Sequence, residues 1–130
     1  MRPSAPRDPA DAPAVLLSTE TFRVEALPVT DPTTDHTTDA VALVGELDLE
    51  HADAMLEVLL ARVDARPARL DIVLDRLEFI DSFGISRLIM TQQAATAVGV
   101  ELVLRGARPT TRRVLVVSGL ITFLNVIDDR

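Results

Sequence analysis

The pair Asp81-Ser82 is the part of the sequence best suited to chemistry. Ser82 stands where the connection after an apolar strand becomes a helix. A serine there can cap the helix, because its hydroxyl accepts a hydrogen bond from a first-turn amide, and the positive end of the helix favours the neighbouring aspartate. The same hydroxyl can carry a phosphate of about −1.5 to −2 charges, which the unpaired amides of a helix start can hold. The residues alone leave both interpretations open.

Hydrolase chemistry would be a third use of this serine, but the surrounding motif does not fit it. A nucleophile elbow reads G-x-S-x-G on a strand–turn–helix. Ile80 takes the first glycine position before Ser82. Gly84 precedes Ser86 correctly, yet Leu88 takes the second glycine position there. The pattern therefore indicates no nucleophilic serine of this type.

Catalytic bases and metal ligands are equally sparse. The sequence has two histidines and no cysteine. His36 lies in a polar loop and His51 lies near a helix start, and we expect both to be solvated. Gly-rich phosphate loops, HExxH motifs and paired carboxylates are missing from the sequence. We therefore predict a protein that is not an enzyme, with no catalytic residue, no metal site and no cofactor.

The composition limits the class of partner. A length of 130 residues with 48% hydrophobic residues suits one domain with a real core. A net charge of −7 repels a phosphate backbone, and four phenylalanines without Trp or Tyr offer few platforms for single-stranded nucleic acid. We therefore expect no direct binding of nucleic acid.

Four of the thirteen basic residues form the candidate basic cluster, which consists of Arg105, Arg108, Arg112 and Arg113. Such a cluster is most often a solvated face, although it can meet an acidic partner or a nucleotide phosphate. No apolar run approaches the roughly 20 residues that a membrane span needs, and the N-terminus lacks an apolar signal core. We expect a soluble, cytoplasmic protein without membrane contact.

Hydrophobic spacing predicts one α/β domain at residues 18–130, after a proline-rich, disordered tail at residues 1–17. Strand–helix alternation implies parallel pairing with right-handed crossovers, and the first two strands, joined by a polar loop at 28–39, suggest an antiparallel pair. The expected body is a four- or five-stranded mixed β-sheet covered by helices. Strands are expected at 21–27, 41–44, 70–74 and 101–104, helices at 50–65, at 82–98 and from 109, and an ambiguous last element at 123–127.

From residue 41 onward the chain resembles the STAS domain, specifically the bacterial anti-sigma factor antagonist family. The likeness covers about residues 20–128. Four segments carry it: Leu43-Val44-Gly45-Glu46-Leu47-Asp48; Asp71-Ile72-Val73-Leu74-Asp75 followed by Leu77, Phe79-Ile80-Asp81-Ser82 and Gly84; Val100-Glu101-Leu102-Val103-Leu104; and Pro109 with Val114-Leu115-Val116-Val117-Ser118-Gly119-Leu120.

The resemblance implies a partner-switching protein that regulates sigma-factor-dependent transcription. In this family the unphosphorylated antagonist binds an anti-sigma factor that is also a serine kinase, and the sigma factor is released. The kinase ends the binding by phosphorylating the serine after the motif aspartate, and a PP2C-type phosphatase restores it. In the resemblance that serine corresponds to Ser82, the motif aspartate to Asp81, and the aspartate at the end of the second strand to Asp48. The matched motif and the geometry of the helix start together predict a partner-binding surface of Asp48, Asp81, Ser82, Phe83, Gly84 and Arg87.

One departure from the family pattern keeps two alternatives open. Phe83 stands where the family usually has a second small residue after the phosphoserine, and Arg87 adds a positive charge on the same helix. The first alternative, suggested by Phe83, is a constitutive STAS scaffold or binding module without phosphoregulation, whose serine is only a helix cap. A third hypothesis is a small-ligand or nucleotide sensor that uses the four clustered arginines as an anion site.

Overall fold

The computed structural model describes residues 14–28 and 38–127. Residues 1–13 of the tail predicted at 1–17, and most of the predicted loop at 28–39, lie outside these ranges. The α/β class is confirmed by the alternation of strands and helices. The strands are β1 (Ala14–Ser18), β2 (Phe22–Ala26), β3 (Thr38–Leu47), β4 (Arg69–Val73), β5 (Leu77–Ile80), β6 (Glu101–Arg105) and β7 (Val126–Ile127). The helices are α1 (Leu49–Asp64), α2 (Ser82–Ala97) and α3 (Pro109–Val117), and a 3-10 turn at Leu120–Phe123 precedes β7.

Strand β3 is the centre of the sheet. It pairs antiparallel with β2, as predicted, and its opposite edge is shared by two parallel neighbours. The first half of that edge pairs with β4, and its last three residues pair with β5. Within the described ranges the strand order is β1-β2-β3-β4-β6-β7, with β5 joined to β3. The mixed sheet is therefore confirmed, but it has seven strands in these ranges and not four or five.

The three additional strands are short and lack a clear local pattern. Strand β1 begins at Ala14, inside the predicted tail of residues 1–17, because its apolar residues pair with β2 in spite of the prolines before them. Strand β5 has four residues, and β7 has two residues that pair with the end of β6. Pairing with a neighbouring strand defines these three strands more than their own spacing does.

The apolar sides of α1 and α2 meet the sheet in one buried cluster. Met55 and Leu59 of α1, Leu88 of α2 and Leu43 of β3 are fully buried there. Both helices follow directly on the ends of β3 and β5, which are parallel neighbours, so both helices begin at the same edge of the sheet. None of the helices in the described ranges is long and apolar enough to cross a membrane.

The opposite face of the sheet carries buried carboxylates that are held by arginines. Glu25 of β2 is buried, and it accepts hydrogen bonds from Arg76 at 2.7 Å and from Arg23 at 2.5 Å. Burial alone would raise the pKa of Glu25, but the hydrogen bonds and charges of Arg76 and Arg23 outweigh it and hold that pKa below its ordinary value of 4.5. Asp71, which is also buried, forms ion pairs with Arg69 and Arg105.

Glu25 should make the protein sensitive to acid. A carboxyl whose pKa is lower in the folded state stabilises the fold above its ordinary pKa, and this contribution is lost as the pH falls through the folded pKa. Glu25→Gln should therefore lower the free energy of unfolding at neutral pH, and the gap to the wild type should shrink in the acid range. Urea titrations over a pH series measure this gap, and a gap that stays constant down to acid pH would contradict the expectation.

Gly45→Ala should destabilise the fold more than Gly99→Ala. Both glycines have a positive φ, of 97° and 77°, at which an alanine costs about 1–2 kcal/mol. A Cβ at Gly45 would also overlap the carbonyl oxygen of Thr21, whereas a Cβ at Gly99 meets nothing within 4 Å. The collision should add about 1–3 kcal/mol. Urea unfolding of both variants measures the difference, and equal losses would show that the β2–β3 ladder adapts.

Candidate partner-binding site

The candidate site lies where the parallel strands β3 and β5 end side by side. Leu47 and Ile80 are paired at these ends, and an aspartate follows each of them. Asp48 is the N-cap of α1, and Asp81 is the N-cap of α2. The positive ends of two 16-residue helices therefore meet at one edge, and each is matched by a carboxylate.

The carboxylate of Asp81 joins the two helix starts. Its Oδ1 accepts hydrogen bonds from the amides of Phe83 and Gly84 in α2, each at 3.0 Å. Its Oδ2 accepts a hydrogen bond from the amide of Leu49 in α1 at 3.2 Å. The amide of Asp81 in turn donates to the carbonyl oxygen of Leu47 at 3.2 Å. One side chain thus fixes the spacing of both helices.

Asp48 is fixed from the other side by a histidine. Its Oδ1 accepts from the amide of Glu50 at 3.0 Å and lies 2.8 Å from Nδ1 of His51. His51 is only 6% exposed, and its Nε2 lies 3.0 Å from the hydroxyl of Thr19. The expectation that His51 is solvated is therefore wrong, because the turn between β1 and β2 folds over it. His36, the other histidine, lies outside the described residues.

The chain from Asp48 through His51 to Thr19 has the order of a catalytic triad, but the hydroxyl is used differently. Thr19 Oγ1 accepts hydrogen bonds from the amides of Phe22, at 3.0 Å, and Thr21, at 3.3 Å. Both lone pairs of the oxygen are thereby engaged, so it is poorly placed to act as a nucleophile. The arrangement is best explained as a tie between the β1–β2 turn and the start of α1.

A possible cation cluster is explained by the same contacts. Ligand atoms of Asp48, Glu50 and His51 lie within 4.8 Å of one another. However, Nδ1 of His51 and Oδ1 of Asp48 are hydrogen-bonded to each other, and the same carboxylate oxygen caps α1. Capping of the helix therefore accounts for these groups without a metal ion.

Ser82 occupies the first position of α2 and not the cap. The structure assigns the cap to Asp81, which corrects the expectation that the hydroxyl of Ser82 fills this role. Ser82 is exposed, and its hydroxyl forms no hydrogen bond with any residue in the described ranges. The amides of Phe83 and Gly84 are already bonded to Asp81. A phosphate on Ser82 would therefore have to displace Asp81 in order to use them.

The residues after Ser82 have different roles. Phe83 is 42% exposed, and Leu49, at the start of α1, is 60% exposed, so both apolar side chains are open to a partner. Gly84 is buried, and a Cβ there would lie 2.7 Å from Cγ of Leu47. Gly84 therefore lets α2 approach the end of β3, and it lies beneath the contact surface.

Arg87 ties α2 to α1. Its Nε donates to Oδ1 of Asp53 at 2.7 Å, and its Nη1 lies 3.3 Å from the hydroxyl of Ser86. The structure thus brings the six predicted partner-binding residues together at one edge, which we call the rim, with Gly84 beneath it. The rim consists of Asp48, Asp81, Ser82, Phe83 and Arg87, and the buried Gly84 supports it from below.

The clustered arginines do not form part of the rim contacts. Nε of Arg105 donates to Asp71 at 3.1 Å, and Nε of Arg108 donates to the carbonyl oxygen of Asp75 at 2.8 Å. These two side chains are directed to the protein's own acceptors, which reduces what they can offer to a phosphate. Arg112 and Arg113 lie further along, on α3.

Comparison with known proteins identifies the setting of this rim. The family described as "Mlab, STAS domain" matches residues 31–126. An anti-sigma factor antagonist from Mycobacterium paratuberculosis has 26% identity and a TM-score of 0.64, over 85% of this chain and 89% of that one. The antagonist SpoIIAA in its unphosphorylated form has 20% identity and a TM-score of 0.59, over 90% and 89%. A sulfate transporter family protein from Wolinella succinogenes has 22% identity and a TM-score of 0.64, over 75% and 81%. The comparison with curated proteins gives no match.

Substitutions at Asp81 should separate its two roles. Asp81→Ala removes the acceptor of three amides and should cost about 2 kcal/mol of the free energy of unfolding. Asp81→Asn keeps one carbonyl oxygen, which suffices to cap α2 but not to accept from Leu49, so its loss should be intermediate. Urea unfolding measures both losses, and hydrogen exchange at the Leu49 amide should quicken in both variants.

The matched control is Asp75→Asn, because Asp75 is exposed and its carboxylate accepts no hydrogen bond within the described residues. This variant should keep the wild-type stability and the wild-type exchange at Leu49. Unchanged exchange at Leu49 in Asp81→Ala would show that the carboxylate does not hold α1.

Proposed function

Since the chain belongs to the STAS domain family, we propose that it is an anti-sigma factor antagonist that works by partner switching. In its unphosphorylated state it binds an anti-sigma factor that is also a serine kinase, and a sigma factor is released for transcription. Phosphorylation of Ser82 ends the binding, and a PP2C-type phosphatase restores it. The proposed location is the cytoplasm. The anti-sigma factor antagonists that share this fold support the assignment to this class of protein.

The observation that carries the proposal is the exposed, unbonded hydroxyl of Ser82 at the centre of the rim. A kinase needs a hydroxyl that it can reach without breaking the fold, and Asp81 relieves Ser82 of the capping role. Phe83 and Leu49 add exposed apolar area beside it. A reachable serine between apolar contacts suits a surface that one partner both binds and modifies.

The charges of the rim explain why a phosphate would end binding. Asp48, Glu50 and Asp81 already concentrate negative charge at the two helix starts. The amides that could neutralise a phosphate are bonded to Asp81. Arg87, the cation of the rim, is paired with Asp53. A phosphate of about −1.5 to −2 charges would therefore stand uncompensated on the surface and repel a partner that fits the neutral serine.

Phe83 favours a second candidate function, a constitutive binding module without phosphoregulation. Its side chain is 42% exposed directly beside Ser82. A large apolar group at this place can bind a partner with or without a phosphate, and it can hinder a kinase from reaching the serine. The nucleotide-sensor hypothesis has weaker support, because Arg105 and Arg108 donate to acceptors of the protein itself.

The switch is tested with a candidate anti-sigma factor kinase from the same genome. Ser82→Ala should keep the wild-type affinity, and Ser82→Glu should weaken it by at least about tenfold, or about 1.4 kcal/mol. Calorimetry measures the affinities, and intact-mass analysis after incubation with ATP should show one phosphate on the wild type and none on Ser82→Ala. Ser86→Ala is the matched control and should still be phosphorylated.

Equal binding by Ser82→Ala and Ser82→Glu would contradict the switch. If the wild type also takes up no phosphate while Phe83→Ser does, then Phe83 blocks the kinase, and the constitutive module is the correct function.

A further inference from the structure

Helix α3 turns an apolar face to solvent. It buries Thr111 and Leu115, whereas Val116 is 52% and Val117 is 79% exposed. An outer surface of this kind on a short helix is typical of a face that another molecule covers. Residues at i, i+3, i+4, i+7 and i+8 share one side of a helix. On α3 the residues at these positions line one shallow hollow, which we call the α3 face: Pro109, Arg112, Arg113, Val116 and Val117.

The charge of the chain is divided around this face. No acidic residue occurs between Glu101 and Asp128, a stretch that holds four arginines. The formal charge of −7 for the whole chain becomes −11 when these four are set aside. Arg113 is exposed and forms no ion pair in the part of the chain that the structure describes. The surface that complements the α3 face must therefore be acidic, with small apolar residues that admit the valines.

Helix α1 presents such a surface. Its outer stripe carries four carboxylates and two alanines, all of them exposed. Asp53 is already paired with Arg87, but Glu57 forms no ion pair within the described residues. The alanine side chains are small, so they leave room beside the acids for an apolar side chain. The stripe, which we call the α1 stripe, consists of Glu50, Asp53, Ala54, Glu57, Ala61 and Asp64.

We propose that the α3 face of one copy docks on the α1 stripe of a second copy. Arg113 pairs with Glu57, and the two valines, one turn further along α3, pack against an alanine that lies one turn from Glu57 on α1. Each copy offers both faces, so the contact either closes as a twofold dimer or continues head to tail. The contact of a nine-residue helix is smaller than a standard interface of about 1,200–2,000 Å², so the association is weak and in fast exchange.

The location of the α1 stripe gives this association a consequence for the rim. Glu50 and Asp53 lie in the first turns of α1, next to Asp48 and the side chain of Arg87. A second copy seated there stands beside the rim and competes with any partner that docks on it. The contact itself depends only on α1 and α3, so its test does not require the proposed function.

The test is sedimentation equilibrium of the full chain from low micromolar to millimolar concentration. The wild-type mass should rise above the monomer mass of 14.1 kDa, and amide shifts in α1 and α3 should move with concentration. Arg113→Glu and Glu57→Arg should each weaken association by at least about tenfold, which corresponds to about 1.4 kcal/mol. An equimolar mixture of the two variants should associate again, since each supplies the face that the other lacks.

Two further variants complete the design. Val117→Ser should also weaken association, and its exposed position makes a change in folding unexpected. Glu101→Arg is the control, because Glu101 is an exposed acid on β6, outside both proposed contact surfaces. The substitution has the same charge change as Glu57→Arg, and the variant should associate like the wild type.

A chain that stays at 14.1 kDa at all concentrations overturns the proposal. The proposal is also overturned if Arg113→Glu and Glu57→Arg associate as strongly as the wild type, or if the amide shift changes lie only in elements other than α1 and α3. Sedimentation with anionic lipid vesicles that is lost in Arg113→Glu, without self-association, would assign the α3 face to a membrane surface and overturn the proposal as well.

Discussion

The carboxylate of Asp81 is the interaction on which the arrangement of this protein's surface depends. It accepts from amides of both α1 and α2, and it can do so only because β3 and β5 are parallel neighbours that end together. Gly84 allows the second helix to come close enough, since any larger residue would meet Leu47. The spacing of the two helix starts and the arrangement of the rim therefore both follow from the geometry at the ends of β3 and β5.

This geometry also explains the chemistry available at the rim. The Asp81 carboxylate is hydrogen-bonded to the amides that would otherwise attract an anion, so the hydroxyl of Ser82 is not needed to cap the helix. Asp48 is held in the same manner by His51 and the turn beneath it. The surface is thus acidic and partly apolar, and its two aspartates are held in place by hydrogen bonds.

The sequence alone was sufficient for the features that lie within one contiguous segment. The position of Ser82 at the start of α2, the helix of residues 49–64 and the mixed sheet all follow from local spacing and the motif around Asp81. The hydrogen bond from the Leu49 amide to the Asp81 carboxylate joins residues 32 positions apart. Local sequence spacing therefore could not predict it. The prediction that His51 is solvated is wrong for the same reason, since its partner Thr19 lies in the β1–β2 turn, 32 positions away in the sequence. The short strands β1, β5 and β7 form because a neighbour supplies their hydrogen bonds, so their own composition is a weak guide.

The separation in sequence between the two halves of the rim has a consequence for synthesis of the protein. On the ribosome, Asp48 and the start of α1 emerge well before Asp81, and the amide of Leu49 has no acceptor until that residue arrives. The contact surface comes into existence only when α2 has packed against α1 and β5 has joined β3. A nascent or misfolded chain does not present it. A partner that binds at this rim, as we propose, therefore requires a chain that has completed its folding.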